Sequence, residues 1–268
     1  MDFTLSARNA LRMAIQIAGY NKSNLYIVHV TKPRYKTQFY NVSRKITAMI
    51  NRMIKNVLLE MCTSDQNKTI NDNLILDIIV QMGTIGGGIQ EIVILKKIDL
   101  VILGTSGNNN IFGMTSFSTS LEIAKHLTCS FLTIPVTFNK KEIQSILYPV
   151  TDNPNAVYES YLSPLKKPQN LWLHCFTTNN HSQIEELTDV TSLDSPINIL
   201  KFKIAGINGN VLVSLSISDK IKYFADVLEI DVIVMTHSFV QSFNIIDSKI
   251  QNDKMINNSS LPILCLHH

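Results

Sequence analysis

The 268-residue sequence predicts an α/β protein made of two tandem copies of one small unit, each a mainly parallel sheet with helices packed on it. Three observations carry this expectation. Strand-like and helix-like segments alternate almost without a break, as βαβ units require. Landmarks of the first half recur in the same order in the second. The composition, 45% apolar and 17% charged, suits a chain able to bury two cores.

In the first half, Leu5–Gly19 places Leu5, Ala7, Ala10, Leu11, Ala14, Ile15 and Ile17 on one broad helical face, with Thr4 or Ser6 available as the cap. A strand follows at Asn24–Val30, then a long helix at Gln38–Met61 and a strand at Leu74–Gln81. Ile89–Ile98 reads as a short helix and Leu100–Leu103 as a fully buried strand. Gly104–Ser116 is loop, Ser118–Leu127 helix and Cys129–Val136 strand, and the polar Thr137–Glu142 links the halves. The second half reads as strand Ile143–Val150, helix Asn155–Leu165, strand Leu171–Phe176, helix Ser182–Thr188 and strand Ile197–Ile204. Helix Ser218–Leu228, strand Val232–Met235, helix Ile246–Ile256 and strand Leu261–Leu266 complete it.

The repeat rests on direct similarity. Ile98-Asp99-Leu100-Val101-Ile102-Leu103-Gly104-Thr105 matches Ile230-Asp231-Val232-Ile233-Val234-Met235-Thr236-His237 in pattern. Asn24-Leu25-Tyr26 and Asn170-Leu171-Trp172 open strands that carry His29 and His174. Ser130–Ile134 and Leu261–Leu266 close the two halves.

Charge and cysteine content narrow the function classes. Net charge is +3 with no lysine-arginine stripe, so neither nucleic acid nor an acidic membrane surface is expected as partner. No apolar run approaches the roughly 18 residues that cross a bilayer, and the start of the sequence lacks a signal-peptide stretch. Cys62, Cys129, Cys175 and Cys265 are scattered, without metal-ligand spacing; reduced thiols in a cytoplasmic protein are the expectation.

The sharpest local feature is Gly104-Thr105-Ser106-Gly107 directly after a buried strand, followed by Ser118-Thr119-Ser120 at a helix start. Glycines let the main chain approach a ligand closely, and a helix N-terminus offers unpaired N–H groups to phosphate. In an open parallel sheet this place lies beyond the carboxyl ends of the strands, where ligands bind. A tight strand-to-loop turn with a serine cap accounts for the same residues equally well.

The stretch Asp99–Gly107, through Ser118, to Cys129–Pro135 resembles the universal stress protein signature, Gly-x2-Gly-x9-Gly-Ser/Thr with a helix and a closing strand. Asp2-Phe3-Thr4 with Ala7 and Ala10-Leu11 resembles the start of that family's first helix, and His29-Val30 the end of its second strand. The likeness covers nearly all of 1–136 and returns more weakly from Ile146 onward. It implies two tandem Rossmann-like domains, at 1–138 and 139–268, each an open five-stranded parallel sheet with helices on both faces. The first domain lacks the family's first strand, which would precede Asp2; this points to a natural start upstream of Met1.

Position by position, the resemblance implies an adenine nucleotide site for ATP with magnesium. Asp2 would face the adenine and Val30 would contact it through the backbone. Gly104 and Gly107 would hold ribose and phosphates, with Ser118 and Thr119 on phosphate. The family's third glycine falls on Phe117, and the second half carries Met235-Thr236-His237-Ser238-Phe239 where Gly-x2-Gly would stand, so that half is read as non-binding.

Other candidates have simpler readings. His29 and His174 read as core or strand-end residues, and His267-His268 as a surface tail. Gly86-Gly87-Gly88 lacks the Lys-Ser/Thr of a Walker loop and reads as a close backbone approach ahead of the Ile89 helix. No GxSxG elbow is present. Met49, Met53 and Met61 read as core filler, and Arg44, Lys45, Arg52 and Lys55 as a solvated face. The expected protein is thus a non-catalytic stress or signalling module. Strands Phe131–Val136 and Ile263–Leu266 would pair its halves as a pseudo-dimer, and the chain could stay a monomer or form a homodimer. The alternative is an interaction scaffold that has lost nucleotide binding in both domains.

Overall fold

Thr4, rather than Ser6, caps the first helix, α1 (Leu5–Asn21): its hydroxyl accepts from the Ala7 amide at 3.2 Å. The computed structural model describes residues 1–32, 38–64, 74–105, 123, 126–140, 143–150, 165, 171–177, 197–202, 217–236 and 261–267. Contacts group them into two units, Met1–Phe138 and Asn139–Leu266.

In the first unit α1 buries Ala7, Ala10, Leu11, Ala14, Ile15 and Ala18. Leu5, expected on that face, is instead 55% exposed, because the first turn is set by its approach to a strand through Ser6 and Ala7. Strands β1 (Leu25–Thr31) and β2 (Leu76–Met82) run parallel, with Leu25 opposite Leu76 and Thr31 opposite Met82. Helix α2 (Phe39–Ser64) lies between them in sequence. It buries Ile46, Ile50, Ile54 and Val57, a stripe at helical spacing that packs with Leu11, Ile15 and Ile27 in one core. Met53 and Met61 border this core. Met49 does not; it is 51% exposed, one position off the stripe. Arg44, Lys45, Arg52 and Lys55 form the expected exposed face.

Helix α3 (Ile85–Lys96) begins four residues before the expected start, so Gly86, Gly87 and Gly88 lie in its first turn rather than ahead of it. Glycine weakens a helix by about 1 kcal/mol per residue against alanine, which is why local propensity delays the start. Packing reverses that preference. A Cβ on Gly86 would lie 2.6 Å from the His126 ring, and one on Gly88 3.1 Å from Val30 Cγ1. Gly88 therefore lets α3 sit close on β1 and Gly86 admits His126, while Tyr26 of β1 carries Lys96 Nζ at 5.3 Å from its ring centre.

Strands β3 (Leu100–Thr105) and β4 (Ser130–Pro135) form a second parallel pair, Leu100 opposite Ser130 and Thr105 opposite Pro135. Among the described residues no ladder joins β1 to β3. The first unit therefore holds two parallel pairs and not one continuous sheet. Helix α1 spans them. Asn9 Nδ2 donates to the carbonyls of Val136 at 3.0 Å and Phe138 at 3.1 Å, just past β4.

The second unit has strands β5 (Ser145–Val150), β6 (Leu171–Thr177), β7 (Ile197–Phe202), β8 (Val232–Thr236) and β9 (Ile263–Leu266), with helix α4 (Ile217–Val227) before β8. They form parallel ladders in the order β7-β6-β5-β8-β9. Central β5 buries Ile146, Leu147 and Tyr148, and α4 buries Ile221, Phe224 and Ala225 at helical spacing. The expected helices Asn155–Leu165, Ser182–Thr188 and Ile246–Ile256 fall outside the described residues, Leu165 excepted. Asp231 ties this unit together. Its buried carboxylate accepts from the amides of Gln144 at 2.7 Å and Ser145 at 2.9 Å, and pairs with the half-exposed Lys140 ammonium. Its own amide donates to the Ser145 carbonyl at 2.9 Å, so the starts of β5 and β8 are pinned side by side.

Two stability predictions follow from these contacts. Asp231→Ala strips the acceptor from two main-chain amides and leaves them unpaired, a loss of about 2–3 kcal/mol in urea unfolding, while Asp231→Asn, which keeps one acceptor oxygen, loses less. Equal losses would show that the carboxylate is not what pins the strands. A Cβ on Gly104 would stand 2.5 Å from the Ser6 carbonyl carbon and 2.7 Å from the Ala7 amide nitrogen. Gly104→Ala should therefore cost about 1–3 kcal/mol, and an unchanged unfolding midpoint would refute the contact.

Candidate functional site

Between β1 and β3 the first unit holds a cavity of about 310 Å³ that runs along both strands and reaches their carboxyl ends. Three of the residues singled out in sequence, Asp2, Val30 and Gly104, line it together. Each arrives from a different element: Asp2 from the turn before α1, Val30 from the end of β1, Gly104 from the end of β3. Below this mouth the wall is aliphatic, with Ala10, Leu11 and Ala14 of α1 and Ile92 and Val93 of α3 among its lining. The carboxyl end of a parallel strand pair is where α/β folds place ligands. Gly107, Ser118 and Thr119, and the Phe117 that departs from the signature, lie outside the described residues.

Asp2 is held by the helix it precedes. Its Oδ1 accepts from the Thr4 amide at 3.2 Å and the Thr4 hydroxyl at 2.7 Å, and that hydroxyl lies 2.9 Å from Ser6 Oγ. The exposed carboxylate is thereby fixed at the mouth while supporting the α1 cap. Between Asp2 and Thr4, Phe3 adopts φ +62°, a left-handed conformation that is uncommon outside glycine. This turn directs the chain from Met1 into α1 and sets the Phe3 ring against His29, tilted by 32° with centres 5.7 Å apart. Gly104 has a structural use as well, because its missing side chain admits the first turn of α1.

The sequence pattern did not single out Met1 or Phe3, and it read His29 only as a strand-end residue. The Met1 amine donates to the Val28 carbonyl, and His29 Nδ1 donates to the Met1 carbonyl. No periodicity signals such contacts, which join residues far apart in sequence. Among the described residues no group of three or more His, Cys, Asp or Glu side chains could hold a metal ion, and no helix is long and apolar enough to cross a membrane. Cys62 is exposed, while burial pushes the Cys129 thiol up to about 11 and the Cys265 thiol to about 12; those two are poor nucleophiles.

Burial holds the His29 pKa below its ordinary 6.5, the Met1 carbonyl opposes that shift, the Met1 amine reinforces it and Asp2 opposes it. A base with a depressed folded pKa takes up its proton more readily when unfolded. Its contribution is whole above pH 6.5 and is eroded as pH falls from there towards the folded value. The His29→Phe variant keeps a ring against Phe3 without a titrating group. Its urea midpoint should fall less than that of the native chain between pH 7 and about pH 5; identical slopes would remove His29 from the acid response.

Comparison with known proteins places this geometry. The profile described as the universal stress protein family matches residues 1–135. A sequence comparison with curated proteins returns no match. The structure of a universal stress protein from Archaeoglobus fulgidus aligns with 99% of this chain and 96% of its own, at 8% identity and a TM-score of 0.57, and so shares the fold. A universal stress protein solved in complex with cAMP aligns with 51% of this chain and 92% of its own, at 19% identity and a TM-score of 0.33. A protein of unknown function from Pseudomonas aeruginosa aligns over 94% and 85%, at 12% identity and 0.49. With its profile matched from Met1 through both strand pairs, the chain belongs to the universal stress protein family.

Proposed function

We propose that this protein is a non-catalytic stress or signalling module of the cytoplasm that binds an adenine nucleotide in its first unit. The observation that carries the reading is the convergence of Asp2, Val30 and Gly104 on one cavity at the carboxyl ends of β1 and β3. A carboxylate at the mouth suits the exocyclic amine of adenine, and the end of β1 offers main-chain groups to the ring edge. The aliphatic wall suits the ring faces, since ligand sites combine apolar lining with a few placed polar groups. Described residues thus fit the base. ATP would bring a triphosphate, which the resemblance assigns to Gly104, Gly107, Ser118 and Thr119, and magnesium would come with the nucleotide. The tandem arrangement belongs to the same proposal: the second unit, without Gly-x2-Gly, serves as a structural partner and binds no nucleotide.

One sequence feature favours a second reading, an interaction scaffold that binds no nucleotide. Phe117 stands where the signature has its third glycine, and a side chain in place of that glycine would compete with phosphate for space.

Calorimetric titration with ATP, ADP and AMP, with and without magnesium, separates the two. Binding weakened about tenfold or more in Asp2→Asn is expected, the loss of one charge-assisted hydrogen bond. Asparagine keeps an acceptor for Thr4, so the α1 cap survives, which an unchanged unfolding midpoint verifies. No heat at millimolar nucleotide leaves the scaffold. ATP turnover above that of a Gly104/Gly107 double variant would overturn the non-catalytic assignment.

A further inference from the structure

Strand β2 lies at the edge of its sheet. Among the described residues β1 is its one ladder partner, and none of its seven residues is buried. The register fixes which main-chain groups look away from β1. The Leu25 amide donates to the Ile75 carbonyl at 2.8 Å, and the Gly83 amide to the Thr31 carbonyl at 3.1 Å. Main-chain direction alternates along a strand, so the odd-numbered residues of β2 bond β1 while Leu76, Ile78, Val80 and Met82 present their groups outward. The Ile78 amide is accordingly taken up by the Asp77 carboxylate, at 2.9 Å. Such an outward row is a template for a further strand.

The side chains divide between two faces. Leu76, Ile78 and Val80 pack against the core built on α2. Gln81 lies on the α3 side, where its Nε2 donates to Glu91 Oε2 at 2.8 Å, and Asp77 and Ile79 share that face by alternation. Aliphatic surface flanks them. Ile75 is 64% exposed, and Leu95, two turns past Gly88 on the face of α3 that meets Gln81, is 71% exposed.

This edge is self-complementary. The four outward residues lie symmetrically about Ile79, the midpoint of β2. A two-fold axis at Ile79 sets Leu76 opposite Met82 and Ile78 opposite Val80 of a second, antiparallel copy. It is the one register that pairs all four on each chain, with about eight main-chain hydrogen bonds. In those pairs aliphatic meets aliphatic or methionine, and Asp77 falls opposite the Gln81 side-chain amide. Asp77 is the only charged residue of the strand, and this register holds the two carboxylates about 14 Å apart. An axis at Asp77 would set them face to face, which destabilises a strand pair.

We propose that β2 is the surface through which two copies of this chain join, antiparallel and two-fold symmetric about Ile79, into one sheet. On pairing, the Ile78 amide passes from the Asp77 carboxylate to the Val80 carbonyl of the second copy, and the carboxylate turns to the Gln81 amide. No residue of β2 lines the cavity, so this proposal is independent of the nucleotide reading.

Sedimentation of the full chain should show a dimer. Val80→Pro removes an outward amide and leaves the bonds to β1 in place, so it should weaken the dimer about tenfold or more with circular dichroism unchanged. Position 79 tests the register. Residues directly opposite in a non-hydrogen-bonded antiparallel pair have Cα atoms about 4.5 Å apart, within disulfide reach, so Ile79→Cys chains should cross-link on oxidation. Gln81→Cys chains, about 14 Å from their mates, should cross-link no more than the native chain, whose exposed Cys62 sets the background. A chain that sediments as a monomer up to about 0.1 mM overturns the proposal. So does a dimer whose Ile79→Cys and Gln81→Cys forms cross-link alike, since its copies would be joined elsewhere. Where Val80→Pro alters the fold, the cross-linking comparison decides alone.

Discussion

The first turn of α1 lies with the Ser6 carbonyl and the Ala7 amide directly over Gly104, and the first unit depends on that contact. Its two strand pairs share no ladder, so hydrogen bonding alone does not hold them in register. Helix α1 does so by touching both. It buries Leu11 and Ile15 against β1 and α2, rests on β3 through Gly104, and reaches the end of β4 through Asn9. A side chain at 104 would lift the helix from β3 and widen the cavity beneath it. Gly104 thus has a packing role that stands whether or not a ligand approaches it.

The same helix start builds the mouth of the site. Asp2 caps Thr4, Thr4 caps α1, and the left-handed Phe3 between them turns the chain over β1. Position and capping are coupled here: the carboxylate is fixed at the cavity mouth by the interactions that begin the helix. A hydrogen-bonded cap orients a side chain more firmly than a loop would, because it fixes main-chain and side-chain torsions together.

The second unit achieves the same alignment by other means. Its central strand is present, so five strands are joined by continuous parallel ladders, and Asp231 fixes the starts of β5 and β8 with one buried carboxylate. The first unit has Asp99 at the matching sequence position, but Asp99 is exposed and beside it no strand stands where β5 stands in the second unit. Among the described residues β3 has no ladder on the side where β8 pairs with β5, so the similar residue has no equivalent strand start to hold.

The sequence by itself determined the alternation of strands and helices and the charged outer face of α2, which follow from local periodicity. That Asp2, Val30 and Gly104 belong together came from the family resemblance, and the structure brings them to one cavity. Gly107, Ser118 and Thr119 remain expectations of the resemblance. Only the tertiary structure decided that α3 begins at its glycines, since the closeness of His126 and Val30 outweighs the helix propensity lost there. It likewise decided that Leu5 and Met49 face outward, that Met1 and Phe3 lie against His29, and that no ladder joins β1 to β3 among the described residues. Those outcomes depend on which surfaces meet across long sequence separations. Neither periodicity nor propensity encodes that meeting, because both report only on a residue's neighbours along the chain.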